Sequence, residues 1–166
     1  MMQGSAHRDA STLQGTPYRV QARDLLLRLR ILSDLIQIGT HRLRIEPDLV
    51  WLQLQGTVGT EDAGQILDLL GKRQREVGAL YLLFDNNHSP VLSADARRAF
   101  VHWHRSNPFA GVANFGGGVV QRTVALLMVN AIRIMGYPLP AQTYAESEAA
   151  AREWIAQRRQ QSPASV

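Results

Sequence analysis

The hydrophobic positions of this chain change between a period of two and a period of three to four residues. Aliphatic side chains alternate with arginines over His41–Glu46 and with glutamines over Val50–Gln55, and Pro47-Asp48 lies between the two segments. Such alternation is typical of strands with one buried and one solvated face, and Pro-Asp favours a turn. The pattern therefore predicts a β-hairpin.

Helical spacing follows the hairpin. Apolar residues recur every three or four positions from Ala63 to Val77, with Thr60 as the predicted N-cap and Gly78 as the predicted C-terminal cap. Glu61 and Asp62 lie in the first turn, where the helix dipole favours acids. We expect a helix over this segment.

Strands and helices then alternate to the end of the chain. Ala79–Phe84 is a continuous apolar run, as in a strand covered on both faces, and Val112–Phe115 and Gln142–Ala145 predict shorter strands. Helical periodicity marks Ala94–Arg105 and Ser147–Arg158. The alternation predicts an α/β fold with a mixed sheet of four to five strands and helices packed mainly on one side.

One further predicted helix, Val119–Met135, is more apolar than a sheet requires. Its polar residues fall within an arc of roughly 100°, and most of the remaining surface, roughly 220°, is apolar, which is wider than the stripe that one sheet covers. The excess needs cover from elsewhere in the chain, from a second subunit or from lipid. Val124 and Met128 are candidate interface residues for that reason.

The segment Val20–Ile38 fits an additional N-terminal helix with two apolar sides. One side carries Leu25, Leu29, Leu32 and Ile36 at alternating spacings of four and three. These four residues are candidates for contact with a partner subunit. Leu27–Ile31 alternates and would equally fit a strand, but the length of the segment and its spacing favour the helix.

Composition limits the chemistry. The chain has 166 residues, 45% of them hydrophobic, and no cysteine, which fits one domain and excludes disulfides, thiolate metal sites and thiol nucleophiles. The net charge is +4, and residues 1–44 hold all of the surplus, with seven Arg against three Asp. The main domain is neutral and lacks a basic patch with interleaved aromatics, which argues against nucleic-acid binding.

The chain is expected to divide into four parts. Residues 1–17 and 161–166 are rich in small and polar side chains and are predicted to be a disordered leader and a disordered tail. Between them lie the N-terminal helix, within residues 18–39, and a domain over residues 41–160. No secretory or transmembrane segment is predicted, which favours a cytoplasmic protein. The N-terminal helix leaves peripheral membrane contact open, although its charges are not gathered on one face.

The element order resembles the STAS fold, in particular the SpoIIAA-like anti-sigma-factor antagonists. The resemblance covers roughly residues 41–157 and rests on the opening hairpin, the buried strand Leu80–Asp85 and the closing segment Thr143–Ile155, with its acidic cap, Ala-rich helix and Trp. It implies a non-enzymatic binding or regulatory role. The phosphorylatable Asp-Ser-Ser-Gly motif of classical members would fall at Ser93–Ala96, where this chain has Ser-Ala-Asp-Ala.

Two polar loops are candidate ligand sites. The first follows the central strand, at the end of a sheet where α/β proteins bind ligands, although Asp and Asn equally build turns there. Its candidate residues are Asp85, Asn86, Asn87, His88, Ser89 and Ser93. The second is a glycine turn before a helix, which fits either an anion site or a flexible connection. Its candidate residues are Gly117, Gly118 and Arg122.

A basic face on the helix Ala94–Arg105 fits either a solvated surface or a protein interface, and the resemblance implies that this helix forms part of the partner-binding surface. Arg98, His102 and Arg105 follow at i, i+4 and i+7, with Arg97 adjacent. An acidic or phosphorylated partner would fit this face. No metal-ligand spacing, nucleophile elbow or cofactor motif is present, so we expect no metal or cofactor. The resemblance implies a non-catalytic interaction domain, and the uncovered apolar arc of Val119–Met135 predicts that it associates with itself. The alternative is a small-ligand or lipid-binding module that uses the loop after the central strand.

Overall fold

The computed structural model describes residues 35–88, 90–119, 122, 123, 133 and 139–161. In chain order its elements are β1 (Leu35–Ile38), β2 (His41–Ile45), β3 (Leu49–Gln53), β4 (Thr57–Val58), α1 (Thr60–Val77), β5 (Tyr81–Asp85), β6 (Val91–Leu92), α2 (Ala94–Ser106), β7 (Gly111–Phe115), β8 (Gln142–Ala145) and α3 (Glu148–Gln161).

Six strands form the main sheet in the order β1-β2-β3-β5-β7-β8. The first three pair antiparallel, and β3, β5, β7 and β8 run parallel. The register aligns Gln53, Asp85, Phe115 and Ala145, so the carboxyl ends of the parallel strands meet at one edge. A short parallel pair, β4 with β6, leads into α1 and α2. The loops before both helices therefore lie close together.

Both faces of the sheet are covered. On one face, α1 and α2 enclose a core whose central members include Leu43, Val50, Ile66 and Leu70. On the other, α3 packs Ala151 and Ile155 against a second cluster from β3, β5 and β7. The α/β class with a mixed sheet is confirmed, and the sheet is larger than the four to five strands predicted.

The predicted helix Val20–Ile38 is wrong at its end, because Leu35–Ile38 is strand β1. Gly39, at φ 56°, starts a two-residue turn that folds β1 back onto β2, where Ile36 pairs with Leu43. Cross-strand pairing overrides the helical spacing of the apolar side chains. The rest of the predicted helix, with Leu25, Leu29, Leu32 and the alternative strand Leu27–Ile31, lies outside the described residues.

The expected solvated face of the hairpin is confirmed at Arg42 and Gln55, which are exposed, and is wrong at its other two polar residues, Arg44 and Gln53. Gln53 is buried and Arg44 is half-buried, with its guanidinium carbon 5.2 Å from the centre of the Trp51 ring. Of the predicted caps of α1, Gly78 is confirmed, whereas Thr60 is already helical and Gly59 is the N-cap. Ser93 is the N-cap of α2.

The predicted helix Val119–Met135 is described at four positions, Val119, Arg122, Thr123 and Arg133, all of them helical. Its first turn is closed by a hydrogen bond from Arg122 N to Gly118 O at 3.1 Å. Val124 and Met128, the leader 1–17 and residues 162–166 lie outside the described residues. No helix in the described part of the chain is long and apolar enough to cross a membrane.

Candidate functional site

The polar loop after β5 begins with a buried carboxylate. Asp85 is 6% exposed and accepts a hydrogen bond from Gln53 Nε2 at 2.8 Å on one oxygen. Its other oxygen accepts from the backbone and side-chain amides of Asn87 at 2.9 and 2.7 Å. A buried carboxylate needs such partners, and both oxygens of Asp85 are engaged within the fold.

The neighbouring asparagines connect three strands at the carboxyl edge. Asn86 donates its backbone N–H to Phe115 O at 2.9 Å and its side-chain amide to Asn114 Oδ1 at 3.4 Å. Asn114 in turn donates to Thr143 O at 3.2 Å. Asn86, which was expected to face a ligand, therefore joins the end of β5 to β7, and Asn114 joins β7 to β8.

The glycine turn and the polar loop meet, although they are separate sites in the sequence. Gly117 N donates to Asn87 Oδ1 at 3.4 Å, and Gly116 has a positive φ of 74°. A Cβ at Gly116 would lie 2.6 Å from Asn87 Oδ1, so the amide packs against a position where only glycine fits. The backbone N–H of Gly117, which was predicted to donate to a bound anion, therefore donates to Asn87 within the protein.

The remaining candidates of the two loops are dispersed. Gly118 and His88 are exposed, Ser89 lies outside the described residues, and Ser93 Oγ caps α2 by accepting from Ala96 N at 3.1 Å. The guanidinium of Arg122 lies over the Tyr144 ring, 5.6 Å from its centre. Burial raises the pKa of Tyr144, and the positive charge of Arg122 partly offsets this effect.

The basic face of α2 has the geometry predicted for it. Arg97, Arg98, His102 and Arg105 are all exposed and border, with Val101, a shallow depression of about 430 Å³. Arg98 forms an ion pair with Asp95 one turn earlier, and Arg97 donates to Leu92 O at 3.4 Å. We call these four side chains the α2 basic face.

Of the apolar interface candidates, the structure describes Ile36. Ile36 and Leu35 are 36% and 44% exposed on β1, an outer strand of the sheet as described. The exposure of two large aliphatic side chains on an outer strand leaves apolar surface available for contact.

Sequence reasoning missed an apolar cavity of about 310 Å³ on the inner side of α2. The sheet contributes Leu52, Leu82 and Val112 to its wall, and α2 contributes Phe100, Trp103 and His104. The residues that line the cavity come from elements far apart in the chain, and within each element they have the pattern of ordinary core residues. In the described part of the chain, no group of three His, Asp or Glu side chains is placed to hold a metal ion.

Comparison with known proteins bears on the fold. No protein-family model and no curated protein matches the sequence. A solved structure of an uncharacterized DUF3478-family protein with a SpoIIAA-like fold, from Shewanella loihica PV-4, superposes with a TM-score of 0.52 at 18% identity, over 73% of this chain and 89% of that one. The unphosphorylated anti-sigma factor antagonist SpoIIAA gives 0.47 at 10% identity, over 70% and 97%. The first superposition and the strand order agree with the resemblance found in the sequence: the chain has a SpoIIAA-like fold.

Proposed function

We propose that this protein is a non-catalytic regulatory or protein-interaction domain of the STAS type, which binds an acidic or phosphorylated partner along the α2 basic face and associates with itself. The observation that carries the proposal is the exposure of Arg97, Arg98, His102 and Arg105 on one side of a single helix. The depression between them gives a partner side chain a place to enter.

The chemistry of the α2 basic face supports an anionic partner. A guanidinium donates two parallel hydrogen bonds to a carboxylate or phosphate, so three arginines recognise such groups with defined geometry. Each exposed ion pair contributes little by itself, about 0–1 kcal/mol, and a cluster is needed for useful affinity. Because the charges are exposed, we expect binding to weaken as salt is raised.

The polar loop after β5 supports a binding role over catalysis. Asp85, Asn86 and Asn87 bond to Gln53, Asn114 and Gly117 and so stabilise the strand ends. A general acid or base needs a polar atom directed at a substrate, whereas these atoms are directed at one another. The same engagement gives the alternative, a ligand site in this loop, no specific support.

A pair of charge-reversal variants tests the proposed interface. The variant Arg98→Glu/Arg105→Glu changes the α2 basic face, and Lys72→Glu/Arg75→Glu makes the same change in net charge on exposed positions of α1. A partner captured from cells of the source organism is purified, and its affinity for each chain is measured by titration calorimetry. We expect the α2 variant to lose about tenfold or more in affinity and the α1 variant less than about twofold. Equal affinities for both variants would contradict the proposal.

A further inference from the structure

The outer side of α1 carries a charge pattern opposite to that of the α2 basic face. On α2, Arg98 and Arg105 are exposed seven residues apart, and Val101, 41% exposed, lies between them. On α1, Glu61 and Asp68 are exposed at the same separation. Seven residues are two helical turns, so each pair lies along one side of its helix with about 10 Å of rise between its members. We call Glu61, Gly64, Gln65 and Asp68 the α1 acidic face.

The two faces also fit each other in shape. Gly64 lies between the two acids of α1, and a Cβ at this position would have no atom within 4 Å. The α1 acidic face therefore has a gap that a side chain from a facing helix can enter. Because Val101 follows Arg98 by the same three positions as the gap follows Glu61, the gap and the exposed aliphatic side chain are in register.

The charged groups of both faces are available to another molecule. Neither Glu61 nor Asp68 forms an ion pair with a described residue. On α2, Arg98 pairs with Asp95, and both side chains of this pair are exposed. An exposed ion pair contributes little stability, so a carboxylate from a second molecule can take the place of Asp95.

No undescribed segment of the chain has a pair of acids that matches the α2 basic face. These segments contain Asp9, Asp24 and Asp34, and at least ten residues separate any two of them. Two acids this far apart do not lie on neighbouring turns of one helix. The described chain has a matching pair on α1, at Glu61 and Asp68.

We propose that the α2 basic face of one copy binds the α1 acidic face of a second copy, and that the same contact forms a second time with the roles exchanged. The inference rests on the self-association proposed above and names its surface. Within one chain, α1 and α2 cover the same face of the sheet, and Trp103 Nε1 lies 3.5 Å from where a Cβ of Gly71 would be. Their outer sides point the same way, so the two faces of one copy do not meet.

Twofold symmetry allows both contacts to form together. The helices α1 and α2 each connect parallel strands of the sheet and therefore run in the same direction. A twofold axis that runs between them and along them places α1 of each copy over α2 of the other. The acids of each copy then face the arginines of its partner, and Val101 faces the gap at Gly64.

This contact makes self-association and partner binding compete. A second copy and an acidic partner use the same arginines of the α2 basic face, so one excludes the other. By mass action, a higher concentration of the chain should weaken the apparent affinity for the partner. A saturating partner should convert the dimer into complexes that hold one copy of the chain.

A charge swap between two variants tests the contact. All chains carry Ile36→Glu, so that contact through β1 does not contribute, and mass is measured by light scattering at physiological salt. With both contacts the wild-type chain forms larger assemblies, and the Ile36→Glu parent should be a dimer. In Glu61→Arg/Asp68→Arg and in Arg98→Glu/Arg105→Glu, we expect the dissociation constant to rise about tenfold or more.

An equimolar mixture of these two variants should form dimers again. Each variant carries like charges on both of its faces and repels itself, whereas the faces of one variant are complementary to those of the other. Native mass spectrometry should show one copy of each variant in the restored dimer. The control Glu146→Arg/Glu153→Arg makes the same change in charge at other exposed positions and should leave the dimer unchanged.

A monomeric parent, an undiminished dimer in either variant alone, or a mixture that stays monomeric would overturn the proposal. If circular dichroism shows that a variant is unfolded, Glu61→Gln/Asp68→Asn replaces the swap and should raise the dissociation constant of the dimer about threefold or more. An unchanged constant in that variant would equally reject the contact.

The captured partner separates a failure of this contact from a failure of the proposed function. If Arg98→Glu/Arg105→Glu weakens partner binding but leaves the mass of the chain unchanged, the contact between copies is wrong and the partner interface stands. If the masses change as expected and partner affinity does not, the partner interface is wrong and the contact between copies stands.

Discussion

At the scale of single residues, the position of the polar loop after β5 was predictable from the sequence, but the hydrogen-bond partners of its side chains were not. The cluster of Asp85, Asn86 and Asn87 was predictable as a polar loop at the end of a buried strand, and the cap formed by Ser93 was predictable from its position. The partner of Asp85 was not, because Gln53 lies 32 residues earlier on a strand whose alternation placed it in solvent. The residue type shows that a side chain is polar, whereas its tertiary contacts decide whether that side chain faces a ligand or another strand.

A pair of glycine substitutions tests this loop. Gly116→Ala places a methyl group 2.6 Å from Asn87 Oδ1 at a positive φ, so Asn87 must move and weaken its bonds to Asp85 and Gly117. We expect a loss of about 1–3 kcal/mol in the free energy of unfolding, measured in urea. In Gly64→Ala, within α1 and with nothing near the added carbon, a gain of about 0.5–1 kcal/mol is expected. An unchanged stability for Gly116→Ala would contradict the packing described.

At the scale of elements, an ion-pair network joins α3 to the β2–β3 hairpin. Arg152 donates to both oxygens of Glu46 at 2.9 and 2.8 Å and to Glu148 at 2.8 Å. Arg44 on β2 reaches Glu46 and Glu148, each at 3.3 Å. Since α3 is the helix that covers the second sheet face, this network helps to fix its position.

Glu46 should make stability depend on acid pH. Burial raises the pKa of Glu46, but the hydrogen bonds and charges of Arg152 and Arg44 together outweigh it and hold the pKa below the ordinary 4.5. The stabilisation is therefore complete above pH 4.5 and is lost as the pH falls through the lowered pKa. Glu46→Gln should cost about 1–2 kcal/mol in urea unfolding at pH 7 and progressively less in acid.

The control for this prediction is Glu76→Gln. Glu76 pairs with Arg73 on the surface of α1 and is 46% exposed, so its replacement should cost less than about 0.5 kcal/mol at pH 7. A cost for Glu46→Gln that does not fall at any pH between 7 and about 2 would show that the network does not contribute through charge.

The elements that were predicted and those that were missed differ in what stabilises them. The helices α1, α2 and α3 have local periodicity and capping residues, and β5 is a local apolar run, so the sequence located each of them within a few residues. In contrast, β4 and β6 are two residues long and exist because Thr57 pairs with Val91 and Val58 with Leu92. Such non-local pairing leaves no periodic pattern to detect.

At the scale of the whole molecule, self-association remains a prediction, and β1 gives it a specific test. Ile36 is exposed on an outer strand of the described sheet. We expect the purified chain to be a dimer or larger by light scattering, and Ile36→Glu to shift it towards the monomer. Val91→Glu, at a more exposed valine on β6, should not change the mass. A wild-type chain that is monomeric at physiological salt would reject self-association.

The two sides of α2 differ in what they face. The outer side presents the α2 basic face, and the inner side closes the cavity with Phe100, Trp103 and His104. The fold places this helix directly after the loop at the carboxyl edge, where Ser93 caps it. The proposed interface thus lies on the exposed side of a helix whose other side packs against the core.

Hydrogen exchange of the chain, free and bound to its captured partner, tests the central claim most directly. If the partner binds along the α2 basic face, amide exchange within Ala94–Ser106 should slow by about tenfold or more at saturation, while β1 keeps its rates. Slowing confined to β1 or to residues 86–88, with unchanged rates across α2, would contradict the proposed interface.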